Sequence, residues 1–511
     1  MAFFLASRLL GFVRQAAITA VFGIGPDADA WFAAFRLPDM LFTLFAGGAL
    51  ISAMIPVYTE YRDAGRRERL NQVVSGIFNS LAVFMIVAGA AGMLLAGPLT
   101  DLLVPGFDEA TRATTAGATR WLMLSPLLLG LSAVARGVLQ SERRFLLPAL
   151  GPVLYNLGTI FGALFLTDEF GVMGLVWGTL AGALVHVLIQ VPGMSRVGFR
   201  YLPLSGPGDR AVRRVMRLML PRLLGFAVIQ SSFIFVNFLA SYIGGSSVAA
   251  LGNAWLLLLF PLGVLAIPFA EASLPAFSSL WSRGDRDGLR QQYHWALRNV
   301  LFLTAPAAAG LIAVATPLIA VLFERRAFGP EATTLTATAL VFYSVGLIGH
   351  AAVEVLARVF FSMQDTRTPV IVGIGSLLLH MLLSWLLSLW LGIGGLALGV
   401  SVGVLLEAGL LYWLLRRRLP APPGSSLSGG AIRAIAMAIT MGALIVLLRW
   451  ATWPGGGSSL LNAAWLAAYV PAGAAFYATG MLLFGGDEAR SALKRVRARI
   501  TGANGPGRPL A

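Results

Sequence analysis

Fourteen stretches of this chain are each long and apolar enough to cross a lipid bilayer, and that repetition leaves few folds open. They lie near 2–23, 31–58, 74–99, 118–139, 145–166, 171–191, 215–242, 248–280, 296–322, 333–360, 369–390, 393–415, 431–450 and 461–484. In hydrocarbon every backbone N–H and C=O must find its partner within the protein, so runs of about 20 residues read as helices. Apolar residues make up 57% of the 511-residue chain and charged residues only 12%. That little charge cannot cover a soluble protein of this size, which excludes a soluble enzyme. The apolar content excludes a disordered chain. The expected fold class is an all-α polytopic membrane protein with about 14 transmembrane helices.

The placement of charge orients the spans. The net charge is +15, from 38 basic and 23 acidic residues. With the N-terminus in the cytoplasm, the inner face receives 62–69, 136–144, 196–217, 283–298, 358–367, 416–433 and the tail at 490–508, which hold 29 basic residues. The outer face receives five: Arg112, Arg120, Arg325, Arg326 and Arg449. Basic residues concentrate on the cytoplasmic side of membrane proteins, so count and orientation support each other. Both termini are expected in the cytoplasm. This positive charge sits at membrane edges, which argues against nucleic acid as a partner. Arg8 and Arg14 interrupt the first apolar run, so it reads as a membrane helix and not as a removed leader. The chain has no cysteine, which removes disulfides, thiol nucleophiles and cysteine-held metals.

Four parts are expected. Residues 1–200 form an N-terminal lobe of spans one to six, and 201–420 a C-terminal lobe of spans seven to twelve. Residues 421–485 carry spans thirteen and fourteen, and 486–511 a basic cytoplasmic tail. The basis is a weak internal echo, in which each block of six spans ends in a basic connection, a common transporter plan. The tail reads either as a helix on anionic headgroups or as a solvated segment. Gly47, Gly48 and the stretch from Pro261 to Pro275 are natural places for helices to bend.

Charges inside spans are costly and mark function or pairing. Span one carries Arg8 and Arg14; span two carries Asp29 at its start, then Arg36 and Asp39 at i and i+3. Arg222 opens span seven, followed by the polar Gln230 and Asn237. Arginine grips phosphate oxygens through parallel hydrogen bonds, so this set points to an anionic ligand. The blander alternatives are snorkelling for Arg8 and Arg222, a neutral structural pair for Arg36 with Asp39, and helix capping for Asp29. In the second half, His350, Glu354 and Arg358 share one helical stripe, and Glu271 and Glu407 sit in other spans. These are either coupling residues or structural pairs. The four histidines show no metal-binding spacing, so no metal or other cofactor is expected.

The strings SRLLGFVRQAAITAVFG at 7–23, DADAWFAAFRLPDMLFTLFAGGALISAMIPVYTEY at 27–61 and QDTRTPV at 364–370 resemble the MurJ/MviN family of lipid II flippases. The likeness runs over nearly the whole chain. It implies two six-helix lobes around a central cavity, with two further helices forming a lipid groove. It implies outward transport of the undecaprenyl-pyrophosphate-linked disaccharide-pentapeptide for peptidoglycan synthesis in the bacterial cytoplasmic membrane. By position, Arg8 and Arg14 match the family's two span-one arginines, Asp29 its span-two acid, and Arg36 a usual basic residue. Departures stand out in two spans: Phe42 in span two and Trp255 in span eight occupy positions where family members commonly have arginine, and in span two Gly47 also replaces a glutamate.

The resulting expectation is a lipid II flippase working by alternating access, with membrane lipids around it and the cell-wall synthesis machinery as a candidate partner. A monomer is expected. No Walker motif is present, which leaves a monovalent cation, a proton or the membrane potential as candidate drivers. The alternatives are an exporter of another polyprenyl-linked glycan or amphipathic compound, and a transport-inactive scaffold. A membrane transferase fits poorly, because the loops are short and lack a catalytic constellation.

Overall fold

Each of the fourteen apolar stretches falls on helix in a computed structural model of the chain, which describes residues 2–45, 49–203, 206–244, 246–419, 428–453 and 459–484. Among the described residues there is no strand. The helices up to the first long connection are α1 (Ala2–Phe22), α2 (Pro26–Phe45), α3 (Ala49–Asp63), α4 (Arg67–Leu94), α5 (Ala96–Leu103), α6 (Glu109–Leu122), α7 (Leu124–Ser141), α8 (Leu146–Phe161), α9 (Thr167–Phe170), α10 (Val172–Leu188) and α11 (Val191–Arg196). There follow α12 (Arg210–Ile243), α13 (Ser247–Pro261), α14 (Ile267–Ser282), α15 (Arg286–Phe323), α16 (Pro330–Val345), α17 (Leu347–Ser362), α18 (Arg367–Leu391), α19 (Ile393–Arg418), α20 (Ser428–Thr452) and α21 (Ser459–Phe484). Ten described helices or helix stacks are long and apolar enough to cross a membrane, and eleven when α16 and α17, bent by 40°, are taken together. Two spans are continued by π-type turns, Gly162–Leu166 after α8 and Leu262–Ala266 after Pro261. Gly47, Gly48, the connection at 420–427 and the tail from 485 onward lie outside the described residues.

Local chemistry sets the helix ends. Pro26 opens α2, where its missing N–H costs nothing, and Asp27 and Asp29 follow in the first turn, where negative charge suits the helix dipole. Asp108 caps α6 by accepting from Thr111 N at 2.9 Å, and Asp209 caps α12 by accepting from Ala211 N at 2.7 Å. The Asp108 hydrogen bonds from Thr111 hold its carboxyl below the ordinary range.

The contacts divide the chain into two compact units: Met1–Gly252 with Phe323–Ala332, and Asn253–Leu322 with Thr333–Ala511. The first unit runs past residue 200 because α12 packs on α2, α3, α4 and α5. Its main core joins α3, α4, α7 and α12 through Leu50, Met54, Ile77, Val134 and Val215. A second cluster joins α2, α6 and α10 through Trp31, Leu122 and Leu175. The seam between α8 and α10 is built on glycine: a Cβ on Gly178 would lie 2.4 Å from Gly162 Cα. The 323–332 segment closes on α1, with Ala327 N donating to Ala20 O at 3.2 Å. Gly23, at φ +63°, leaves room for it; a Cβ there would meet Ala327 O at 2.3 Å.

The second unit repeats the close seam between α18 and α19. A Cβ on Gly399 would lie 2.4 Å from Ser384 N, and Ser384 Oγ donates to Leu396 O at 3.1 Å. The last two helices pack on α15 through Met441, Ile445, Tyr469 and Tyr477. Tyr477 donates to Phe302 O at 3.0 Å and Arg449 to Ala313 O at 3.0 Å.

Candidate functional site: a charged cluster in the first unit

Helices α1, α2, α8 and α12 bring polar side chains together inside the first unit. Asp39, on α2 directly after the in-helix Pro38, lies within hydrogen-bond reach of the Gln230 side chain of α12. Arg36, one turn earlier on α2, and Arg14 of α1 both lie within electrostatic reach of that carboxylate. The Arg36 guanidinium also rests over the Phe233 ring, 4.9 Å from its centroid, a cation–π contact. Tyr155 of α8 lies within reach of both Arg14 and Asp39. Arg14 Nε is buried and has no hydrogen-bond partner. A donor of that kind, left unmade in a low-dielectric interior, is costly and favours an anionic acceptor. Two guanidiniums against one carboxylate leave the cluster cationic, the chemistry needed to hold phosphate oxygens.

Arg8 lies on α1 and Arg222 on α12, and both side chains are outside the described residues. Asp29 corrects an expectation. It does not cap its own helix, because α2 already begins at Pro26. Its buried carboxylate instead accepts from Ala249 N at 2.7 Å, with Val248 N as a second donor, and so caps the first turn of α13.

Three of the charged candidates in the second unit, Glu271, Glu354 and Arg358, are paired with one another. Arg358 Nη1 bonds the Glu354 carboxylate and also donates to Glu354 O at 2.7 Å, while Nη2 lies 3.8 Å from Glu271. His350, on the same stripe, goes elsewhere: its ring meets Trp255 edge-on at 5.5 Å. Glu407 of α19 is within hydrogen-bond reach of Ser376 on α18. Among the described residues no three metal-ligating side chains cluster.

The sequence model of the lipid II flippase MurJ family matches residues 18–464. The chain belongs to that family. A probable lipid II flippase MurJ of Vibrio cholerae serotype O1 is 32% identical over 94% of this chain and 94% of its own length. A lipid II flippase MurJ of Burkholderia cenocepacia is 31% identical over 81% of this chain and 82% of its own. Among solved structures, a lipid II flippase MurJ in an inward closed conformation superposes with a TM-score of 0.79, at 22% identity, covering 94% of this chain and 98% of the other. An inward-facing multidrug resistance MATE family transporter of the MOP superfamily superposes at 0.69, with 18% identity over 81% of this chain and 94% of the other. At such identities these likenesses concern the fold. As a member of the family, the chain is a multi-span protein of the bacterial inner membrane.

The two departures noted in the sequence have clear surroundings. Phe42 packs against the main apolar core of the first unit. Trp255 stacks edge-on with Tyr343 at 5.4 Å as well as with His350. Three polar residues escaped the sequence reading as members of buried sites. Gln230 was visible only as a polar residue in a span, and Tyr155 gave no signal at all. Arg136 counted as a loop charge at 136–144, but α7 runs on to Ser141 and buries its Nε without a hydrogen-bond partner. The stretch at 118–139 already held Arg136, but as a charge near its end it was counted with the loop.

Proposed function

We propose that this protein flips lipid II, the undecaprenyl-pyrophosphate-linked disaccharide-pentapeptide, from the inner to the outer leaflet by alternating access. The observation that carries the reading is the cationic cluster of Arg14 and Arg36, sheltered within the helices of a chain that belongs to the flippase family. The work is translocation with no covalent step. Arg14 and Arg36, with Arg8 on the same helix as Arg14, replace part of the hydration of the pyrophosphate. The polyprenyl tail stays in hydrocarbon, beside α20 and α21. Both termini face the cytoplasm, in keeping with the excess of arginine in that set of loops. A monovalent cation, a proton or the membrane potential drives the cycle; one charge crossing 100 mV yields about 2.3 kcal/mol. Glu271, His350, Glu354, Arg358 and Glu407 are the residues to examine for coupling.

One observation favours a second reading. Phe42 faces apolar core where the family resemblance places arginine, so the site has fewer cations than the resemblance implies. A related polyprenyl-linked glycan of lower charge would suit it. Leaflet exchange of labelled lipid II in proteoliposomes decides between them. The expected result is exchange well above empty vesicles, reduced at least tenfold by Arg14→Gln at equal protein content. Exchange at the empty-vesicle rate under every gradient defeats the proposal, and preference for another polyprenyl glycan establishes the second reading.

A further inference from the structure

Asp39 is the unusual member of the cluster. A carboxylate within the bilayer needs a cationic partner, and a site meant only to attract phosphate gains nothing from an acid in its midst. The carboxylate shares the field of both guanidiniums, Arg14 from α1 and Arg36 from its own helix. The Gln230 amide on α12 is also within hydrogen-bond reach of it. Arg36 has a second support in the Phe233 ring, also on α12, so it keeps a partner when Asp39 is not available. Arg14 Nε stays without a hydrogen bond even with Asp39 nearby.

We propose that Asp39 is a built-in counter-anion that sets which ligands this site accepts. It neutralises part of the charge of Arg14 and Arg36, and an incoming ligand must displace it from them. A pyrophosphate does so because it offers several oxygens and more than one negative charge against a single carboxylate. A neutral or weakly charged amphiphile does not. Gln230 gives the displaced carboxylate a hydrogen bond to keep, which lowers the cost of displacement. On the outer side the same carboxylate competes the headgroup off the arginines and speeds release. The residue therefore weakens binding and strengthens turnover, and it positions the arginines without itself gripping the ligand. This rests on the pyrophosphate-lipid reading of the site.

Two substitutions of opposite expected sign test it on the full chain in lipid nanodiscs, with undecaprenyl pyrophosphate as the probe. Asp39→Asn removes the competing charge and is expected to bind the probe about tenfold tighter than the unaltered protein. It is also expected to exchange lipid II more slowly at saturation. Gln230→Leu leaves the carboxylate to the arginines alone and is expected to bind the probe severalfold more weakly. Undecaprenol, the uncharged lipid, is expected to bind all three proteins equally. Gel filtration and helical circular dichroism confirm folding, and if Asp39→Asn does not fold, Gln230→Leu carries the test. Equal or weaker probe binding by Asp39→Asn, or tighter binding by Gln230→Leu, overturns the proposal while lipid II exchange by the unaltered protein keeps the flippase reading intact. Tighter probe binding by Asp39→Asn in a protein that exchanges no lipid II supports the counter-anion and removes lipid II as the cargo. Absence of probe binding by all three proteins overturns both.

Discussion

In the first unit the chain turns from α7 to α8 through Arg143 at φ 56°, and in the second from α17 to α18 through Gln364 at φ 61°. The backbone bonds of the two turns agree: Arg144 N donates to Leu139 O at 2.7 Å, and Asp365 N to Phe360 O at 3.0 Å. The turns into α4 and α15 agree as well, through Gly65 and Gly284, with Leu70 N bonded to Arg66 O and Leu289 N to Asp285 O. The polar side chains do not follow. The first unit gathers Arg14, Arg36 and Asp39 into a cationic cluster, whereas the second pairs Arg358 with Glu354 and Glu271 and sets His350 edge-on against Trp255. Repeated turns and seams build the scaffold, so the residues that break the repeat are the candidates for ligand chemistry.

If the seams are the repeated part, damage to either unit must cost alike. Gly178→Val and Gly399→Val each drive a side chain into the backbone of the facing helix, at 2.4 Å from Gly162 Cα and from Ser384 N. Each is expected to destabilise by about 3 kcal/mol or to prevent folding. Gly117→Ala, with no heavy atom within 4 Å of its new methyl, is expected to change little. Thermal unfolding of the purified protein in detergent, followed by gel filtration, reads all three. A loss confined to one unit breaks the comparison at its root.

The spans were legible in the sequence because lipid enforces length and apolarity on every crossing helix; the glycine seams between them were not. The fourteen stretches therefore survived. The π-type turn at Leu262–Ala266 falls within the stretch from Pro261 to Pro275 expected to bend, whereas the bend between α16 and α17 at Gly346 did not announce itself, because glycine occurs in many unbent spans. Arg14, Arg36 and Asp39 were legible because a charge in a span is conspicuous. Gln230 and Tyr155 were not, because no local pattern tells an uncharged polar residue which distant helix it will meet. Asp29 was grouped with the anionic-ligand set, with a cap of its own helix as the blander alternative, and only the packing of α13 shows that its carboxylate serves the amides of that helix.

The charged groups of the second unit allow a finer cut. Arg358 is largely enclosed, with 15% of its side chain exposed, and Glu354 is its close partner, whereas Glu271 is 67% exposed at 3.8 Å. Glu354→Gln is expected to cost about 2 kcal/mol, because it strips an enclosed guanidinium of its main counter-charge. Glu271→Gln is expected to cost less than about 0.5 kcal/mol, as exposed pairs do. Neither is expected to slow lipid II exchange per folded molecule if these pairs are structural. Arg14→Gln is expected to show the reverse pattern, with exchange lost and stability kept. Slowed exchange by folded Glu354→Gln instead assigns the second unit a part in coupling and narrows the contrast between the units.

The smallest effect comes from the paired turns themselves. At Asp365, partial burial pushes the carboxyl up, but hydrogen bonds from the Thr368 side chain and backbone and the Arg418 guanidinium outweigh it, holding the pKa at about 2 against an ordinary 3.8. Arg418 also reaches Thr368 Oγ1 at 3.0 Å, so the group clamps the start of α18 to the end of α19. A depressed carboxyl contributes stability at pH values above its unfolded pKa and loses it as the pH falls through the folded one. The contribution is therefore full above about pH 4 and fades down through about pH 2. With Arg418 43% exposed and screened by solvent, about 1 kcal/mol is expected at pH 7. In the first unit the corresponding turn position is Arg144, which is exposed and offers no carboxylate to titrate. Unfolding of Asp365→Asn against the unaltered protein should show a gap that is constant from pH 7 to 4 and narrows below, whereas Arg144→Gln should show no gap across that range. A constant gap for Asp365→Asn down to pH 2 assigns the clamp to neutral hydrogen bonds, and the two turns then differ in shape and not in charge.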